Sequence, residues 1–181
     1  MLGERGPRAR VRANRAAVRT TLAAGASHGL VLGVRDPGLV GALVSVPPRG
    51  WPLPPPGLPL RLWAIAVQGL GAARRWAEAF DALAAHHPIL PHWYLGTLGV
   101  DPTHQQRGLG GALLEAWLRH VDADRCGVWL ETDRPENIAF YERAGFELAG
   151  EVPVFDVPVW LMSRPPAPAQ GDTPAQRDVP A

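Results

Sequence analysis

Between Tyr94 and Gly111 the chain reads YLGTLGVDPTHQQRGLGG, and its glycines let the backbone itself do chemistry. An apolar strand runs to Val100 and a Pro-containing turn follows. Gln105, Gln106 and Arg107 then lead into Gly108, Leu109, Gly110 and Gly111 at the start of a helix. The first N–H groups of a helix have no partner inside it and lie at the positive end of its dipole, so they attract an anion. Glycine lets the main chain curl at that point and lets a pyrophosphate approach it closely. Arg107 can add charge-assisted contacts to phosphate. The spacing is not the dinucleotide fingerprint, because a third glycine and an acidic ribose partner are missing at the required offsets. Nor does it end in the Gly-Lys-Ser/Thr of a P-loop. What remains is a cradle that suits a pyrophosphate without metal.

A second reactive segment, LETDRPENIAFYERAGFE, spans residues 130–147 about one strand–helix unit later. It ends a strand at Glu131, sets Asn137, Phe140 and Tyr141 on a short helix, and closes that helix at Gly145. Glu131 stands beside the same cleft as either a proton acceptor or a structural hydrogen-bond or salt-bridge partner. Each segment taken alone also reads as an ordinary strand–turn–helix.

The elements that must hold these groups follow from periodicity. Residues 11–24, rich in alanine and arginine, suit a short helix. Residues 29–34 and 39–46 read as a hairpin around a Pro–Gly turn. Residues 47–59 hold seven prolines and two glycines around Trp51, which predicts a rim loop with neither regular helix nor central strand. Trp51 is expected to cover the core in preference to a ligand site. A helix is predicted over 70–85, with Leu70, Ala73, Trp76, Ala77, Phe80, Leu83 and Ala84 as its apolar stripe. A strand at 93–100, a helix at 109–123, a strand at 127–131, a short helix at 135–143 and strands at 146–154 and 157–162 complete the order. In the 109–123 helix the stripe is Leu109, Leu113, Ala116, Trp117 and His120 or Val121. Helix, strand, helix, strand, helix in the middle means α/β layering with two parallel strands and a right-handed crossover, and the antiparallel flanks make the sheet mixed. Residues 1–164 form one domain in this reading, and 165–181 a disordered Pro/Ala/Gln/Asp tail.

Composition narrows the function classes. With 18 Lys+Arg against 17 Asp+Glu, the overall charge gives no reason to expect nucleic acid. Arg5, Arg8, Arg10, Arg12, Arg15 and Arg19 crowd the start, where a solvated helix face or frayed end is the expected role. The single cysteine, Cys126, excludes an intrachain disulfide and fits a reducing cytoplasm. No apolar run approaches the ~20 residues of a membrane span, and polar and glycine interruptions after the arginines argue against a signal peptide. His86, His87 and His92 are separated by Pro88 and Pro91 and joined by no cysteine, so a structural role is expected and no metal site.

The glycine segment resembles the acyl-CoA-binding motif of the GCN5-related N-acetyltransferase (GNAT) superfamily, Gln/Arg-x-x-Gly-x-Gly/Ala, met here by Gln105, Gly108 and Gly110. The second segment is similar to the same family through Asn137, Phe140 and Tyr141, followed by Gly145 and Phe146. Residues 93–147, with the ending VPVWLMSRP, look closest to the puromycin N-acetyltransferase-like branch. The resemblance implies a GNAT acyl-CoA N-acyltransferase fold in which the 95–100 strand is splayed, acetyl-CoA is the co-substrate, and the backbone of Leu98, Gly99 and Val100 binds the pantetheine arm and polarises the thioester carbonyl. It also implies that Tyr141 protonates the departing thiolate; a phenol titrating near 10 suits that task. Asn137 orders its helix or contacts the cofactor arm. Glu131 is the candidate general base, ahead of His92 and Glu78. Family members usually open with an additional strand and long helix. With 28 residues ahead of Gly29, that strand is expected to be missing or degenerate unless translation starts further upstream.

The function expected on this resemblance is cytoplasmic transfer of acetyl from acetyl-CoA to a primary amine of a small molecule. The transfer is direct, in a ternary complex, since no neighbouring base activates Cys126. A homodimer is compatible with the family. Two alternatives remain: a non-catalytic acyl-CoA-binding or regulatory module, and a protein N-terminal or lysine acetyltransferase.

Overall fold

The computed structural model describes residues 6–52, 54–55 and 57–168. Arg5, and residues 169–181 of the expected disordered tail, lie outside the described residues. The first described element is α1 (Pro7–His28), with Pro7 in the first turn, where a missing N–H costs nothing. Its buried positions are alanines, Ala13, Ala16 and Ala24, and a Cβ at Gly25 would collide with the Val44 side chain. Small residues on this face let α1 lie close against the sheet. The hairpin follows as β1 (Leu30–Asp36) and β2 (Gly38–Val46), paired antiparallel.

The proline-rich segment differs from expectation. Its last residues open α2 (Leu58–Gln68), capped at Gly57 with Pro59 in the first turn, so proline here starts a helix. Helix α3 (Leu70–Ala84) comes next, and its stripe is only in part the predicted one. Ala73, Trp76 and Leu83 are half-buried as expected, but Leu70 and Phe80 are exposed, while Ala72 and Ala79, outside the predicted stripe, are buried. Ala79 rests on Val154 and Val159, with Leu83 packed beside it.

The remaining elements are β3 (His92–Val100), α4 (Leu109–Val121), β4 (Gly127–Thr132), α5 (Ile138–Glu142), β5 (Glu147–Val154) and β6 (Val157–Arg164). The six strands form one mixed sheet in the order β1-β2-β3-β4-β6-β5. Among the described strands only β3 and β4 are parallel, joined through α4. Helix α4 covers one face of the sheet through Leu113, Leu114, Trp117, Leu118 and Val121, packed with Leu43, Trp93, Leu95, Val128, Leu130 and Met162. The predicted register was close, but Leu109 is half-buried, His120 is exposed, and Leu114 and Leu118 widen the stripe.

Two irregularities shape the centre. The ladder between β2 and β3 jumps from Val44↔Thr97 to Ser45↔Leu95, leaving Gly96 as an extra residue, a β-bulge. The parallel ladder between β3 and β4 holds only three pairs, His92↔Gly127, Trp93↔Val128 and Tyr94↔Trp129. Beyond the bulge the two strands part. The sheet therefore opens in its middle, where β3 runs on to Val100 and β4 to Thr132.

Candidate active site

The opening between β3 and β4 is flanked on the α4 side by a cavity of about 1250 Å³. Leu98, Gly99 and Val100 of β3 line it, as do Gln105, Gln106, Gly108, Leu109, Gly110 and Gly111 at the start of α4. Asn137, Phe140 and Tyr141 from the α5 side complete the set. The structure thus gathers around one cavity Tyr141 and every cofactor-binding candidate but Arg107, while the candidate bases Glu131, His92 and Glu78 are not in its lining. Arg107 is exposed and outside the lining, and Glu131 lies elsewhere.

Gly108 caps α4 at φ 78 and ψ −3, a left-handed conformation that side chains disfavour. The first intrahelical bond runs from Ala112 N–H to the Gly108 carbonyl (2.9 Å), so the N–H groups of residues 108–111 are free of the helix ladder. A Cβ on Gly111 would meet nothing within 4 Å, so the space over this helix start is open to a ligand. The loop before it is tied down. Asp101 accepts from the Thr103 backbone N–H at 2.9 Å and from its hydroxyl at 2.6 Å. These bonds hold the Asp101 carboxyl below its usual range. Gln105 donates its amide to the Val100 carbonyl (3.0 Å), fixing the end of β3 to the cradle. Its side chain is a buttress between the two lining segments. Basic groups missed by sequence reading also line the cavity: Arg143, Arg134 held by Glu136, and Arg164 paired with Asp122. Arginine beside an exposed helix start suits a polyanion.

Tyr141 sits on α5 between Phe140 and Phe146, 8% exposed. Burial pushes its phenol up to about 12, so it stays neutral and donates hydrogen at any physiological pH. Asn137 donates its amide to the Thr132 hydroxyl (3.0 Å), which pins the loop between β4 and α5.

Glu131 belongs to a second, buried cluster. Leu130 is in the α4-side core, and Glu131, the next residue, faces the opposite side of the sheet with Trp129. The Trp129 indole donates to Glu131 Oε1 at 2.8 Å, and the Tyr94 hydroxyl also bonds this carboxylate. His87 Nε2 lies 2.9 Å from the same oxygen, with both side chains nearly inaccessible (4% and 6%). His92 Nδ1 is 2.8 Å from the Leu90 carbonyl, and its Nε2 is 3.3 Å from His87 Nδ1. Burial, foremost, lowers the His92 imidazole. Trp51 lies flat on His87, with centroids 4.1 Å apart and planes 2° apart. Trp51 therefore covers this polar cluster and not an apolar core. Among the described residues no group of three or more His, Cys, Asp or Glu side chains is placed to hold a metal ion, and no helix is long and apolar enough to cross a membrane.

The chain matches the acetyltransferase (GNAT) family over residues 66–146, which contain the cavity segments. A curated relative, mycothiol acetyltransferase from Saccharomonospora viridis, is 46% identical over 53 residues; the match covers 29% of this chain and 17% of that protein. The chain thus spans about a sixth of that relative's length. Among solved structures, a histone acetyltransferase HPA2 and related acetyltransferase from Corynebacterium glutamicum superposes with a TM-score of 0.66 at 26% identity, over 92% of this chain and 81% of that one. The polyamine N-acetyltransferase of Drosophila melanogaster gives a TM-score of 0.62 at 17% identity over 82% and 80% of the two chains, a likeness of fold.

Proposed function

We propose that this protein is a GNAT-type enzyme that transfers the acetyl group of acetyl-CoA to a primary amine of a small molecule, a reading supported by the family match over residues 66–146 and by the likeness of fold. One observation carries the reading: the central strands part, a helix start with free N–H groups opens at one side of the gap, and a carboxylate stands on the other. The cradle fits the co-substrate because the positions over Gly108 and Gly111 are empty of protein atoms. Residues 108–111 would hold the pyrophosphate, and Leu98, Gly99 and Val100 the pantetheine arm. When bound, the co-substrate supplies an activated acyl carbon and a thiolate leaving group.

The chain's own residues divide the remaining work by face. Backbone N–H groups of β3 beyond Gly96, without a β4 partner, polarise the thioester carbonyl. Tyr141, neutral, donates a hydrogen bond to the sulfur as it gains charge. Its phenol at about 12 lies above the ~8.5 of an ordinary thiol, so Tyr141 stabilises the thiolate by that bond without complete proton loss. Glu131 reaches from the other face and accepts the proton of the incoming ammonium, releasing a neutral nitrogen to attack. Direct transfer follows: the nitrogen–acyl bond forms as the carbon–sulfur bond breaks, the second nitrogen proton passes to the departing thiolate, and Cys126 has no part in it.

The puromycin N-acetyltransferase-like pattern is the finer reading of residues 93–147 and supports a small-molecule acceptor. The names of the polyamine and mycothiol enzymes support the same class. A non-catalytic acyl-CoA-binding role draws on one observation, the engagement of Glu131 by His87. The test is free-thiol release from acetyl-CoA across a panel of small amines and peptides, with calorimetric acetyl-CoA binding on the same sample. Release dependent on one small amine supports the proposal. Binding without turnover shifts the reading to the non-catalytic module, peptide-dependent turnover shifts it to protein acetylation, and loss of binding refutes both.

A further inference from the structure

The surroundings of His87 describe a receptor for a cation. Its ring centre lies 4.1 Å from that of Trp51, 4.8 Å from Tyr94 and 6.1 Å from Trp129. A cation gains from aromatic faces when it sits within about 6 Å of their centres. The Glu131 carboxylate is 2.9 Å from Nε2. The walls of the slot, a carboxylate and three aromatic rings, are complementary to a positive charge. His92 Nδ1 faces the Leu90 carbonyl and so carries the hydrogen, which leaves His92 Nε2 to accept from His87 Nδ1.

The imidazole fits that slot imperfectly. Nε2 is buried yet has no aligned hydrogen-bond partner, because the contact with Glu131 lies off its N–H direction. The elements that close the slot are both loops. Trp51 comes from the segment between β2 and α2. His87 comes from the turn between α3 and β3, whose next residues, Ile89 and Leu90, are 102% and 77% exposed. Glu131 stands two residues beyond the last β3–β4 pair, where the sheet opens toward the cavity.

We propose that Trp51, Tyr94, Trp129 and Glu131 form the binding site for the cationic ammonium group of the acceptor, and that His87 fills it here as an internal stand-in that withdraws when the acceptor enters. The proposal rests on the acetyl-transfer reading and deepens it. It names the acceptor as a compact protonated amine and makes the 85–91 turn an autoinhibitory plug.

The experiment titrates the full chain with n-butylammonium chloride, followed by tryptophan fluorescence and calorimetry, with butanol as the uncharged comparison. His87→Ala should bind the ammonium at least 10-fold more tightly than the unaltered protein and show no gain for butanol. Adding Glu131→Gln should remove the gain. Equal binding by His87→Ala and the unaltered protein overturns the proposal, as does a gain that survives Glu131→Gln. His87→Asn, which keeps a donor for His92, serves where His87→Ala does not fold. Failure of both variants to fold makes His87 a structural residue and equally overturns the plug. Acetyl-CoA calorimetry on the same samples reads the other face of the sheet, so its failure sinks the transferase reading separately from the cation site.

Discussion

Replacing Gly111 by alanine separates a ligand role from a packing role, because the two give different signs. Gly111 lies in the first turn of α4, and its added Cβ would meet nothing within 4 Å. Alanine is favoured over glycine in a helix by about 1 kcal/mol, so the ligand-free protein should gain up to that amount. For a domain of this size that raises the melting temperature by about 2–4 °C. In a helix the Cα–Cβ bond tilts toward the N-terminus, which aims the new methyl at the mouth of the cavity that Gly111 lines. A phosphate resting on the main chain would be pushed off. Acetyl-CoA affinity should fall by at least tenfold, about 1.4 kcal/mol. Gly108→Ala provides the contrast. The same space is open there, but φ 78 imposes a strain of about 1–2 kcal/mol, so this variant should melt lower while also losing affinity. Thermal unfolding by circular dichroism without ligand and calorimetry with acetyl-CoA measure both quantities. Unchanged affinity in Gly111→Ala would refute the cradle, and a lower melting temperature would refute the open space.

Tyr141→Phe should lower turnover about 10²-fold or more and leave acetyl-CoA affinity nearly unchanged, measured by thiol release and calorimetry. Both tyrosines of the chain are held neutral: burial takes Tyr141 up to about 12, and burial followed by the Glu131 charge raises Tyr94. Unfolded tyrosines titrate near 10, so between pH 10 and 12 the unfolded chain releases protons that the folded chain keeps, and stability falls as pH rises. Tyr141 alone accounts for about 3 kcal/mol across that window. Phenolate absorbance should therefore appear together with loss of circular dichroism, and phenolate in a still-folded protein would contradict the burial. Trp117 is fully buried and its indole N–H has no acceptor among the described residues. Trp117→Ala should cost about 3–5 kcal/mol in denaturant unfolding, whereas Trp117→Phe, which removes the unpaired donor, should cost much less.

The segment 93–147 was legible because its local signals agree. Apolar strands end at turn residues, and glycine stands where a left-handed φ is needed at Gly108 and Gly145. Helix α2 was hidden by proline density, since composition does not distinguish a loop proline from one in a first helical turn. The face of α3 was read only in part because periodicity weights large side chains, while Ala72 and Ala79 are the buried positions and Ala79 is the one set against Val154 and Val159. Gln105 lines the cavity with the rest of its motif, and the bond of its amide to the Val100 carbonyl is a further contact that spacing alone does not show. The partners of Glu131 could not be read at all. His87 is far from it in sequence, and their meeting depends on the Tyr94↔Trp129 register and on a turn that carries no periodic signal.

The three-pair seam between β3 and β4 also has a mechanical meaning. It divides the sheet into two plates, β1-β2-β3 and β4-β6-β5, pinned at one end and spanned by α4. The cavity draws its walls from both plates, Leu98 and Gly99 on one and Asn137 and Phe140, which follow β4, on the other. A ligand bound there would act as a keystone, joining the two plates at the end where the β3–β4 ladder is absent and where only side-chain packing and α4 otherwise connect them.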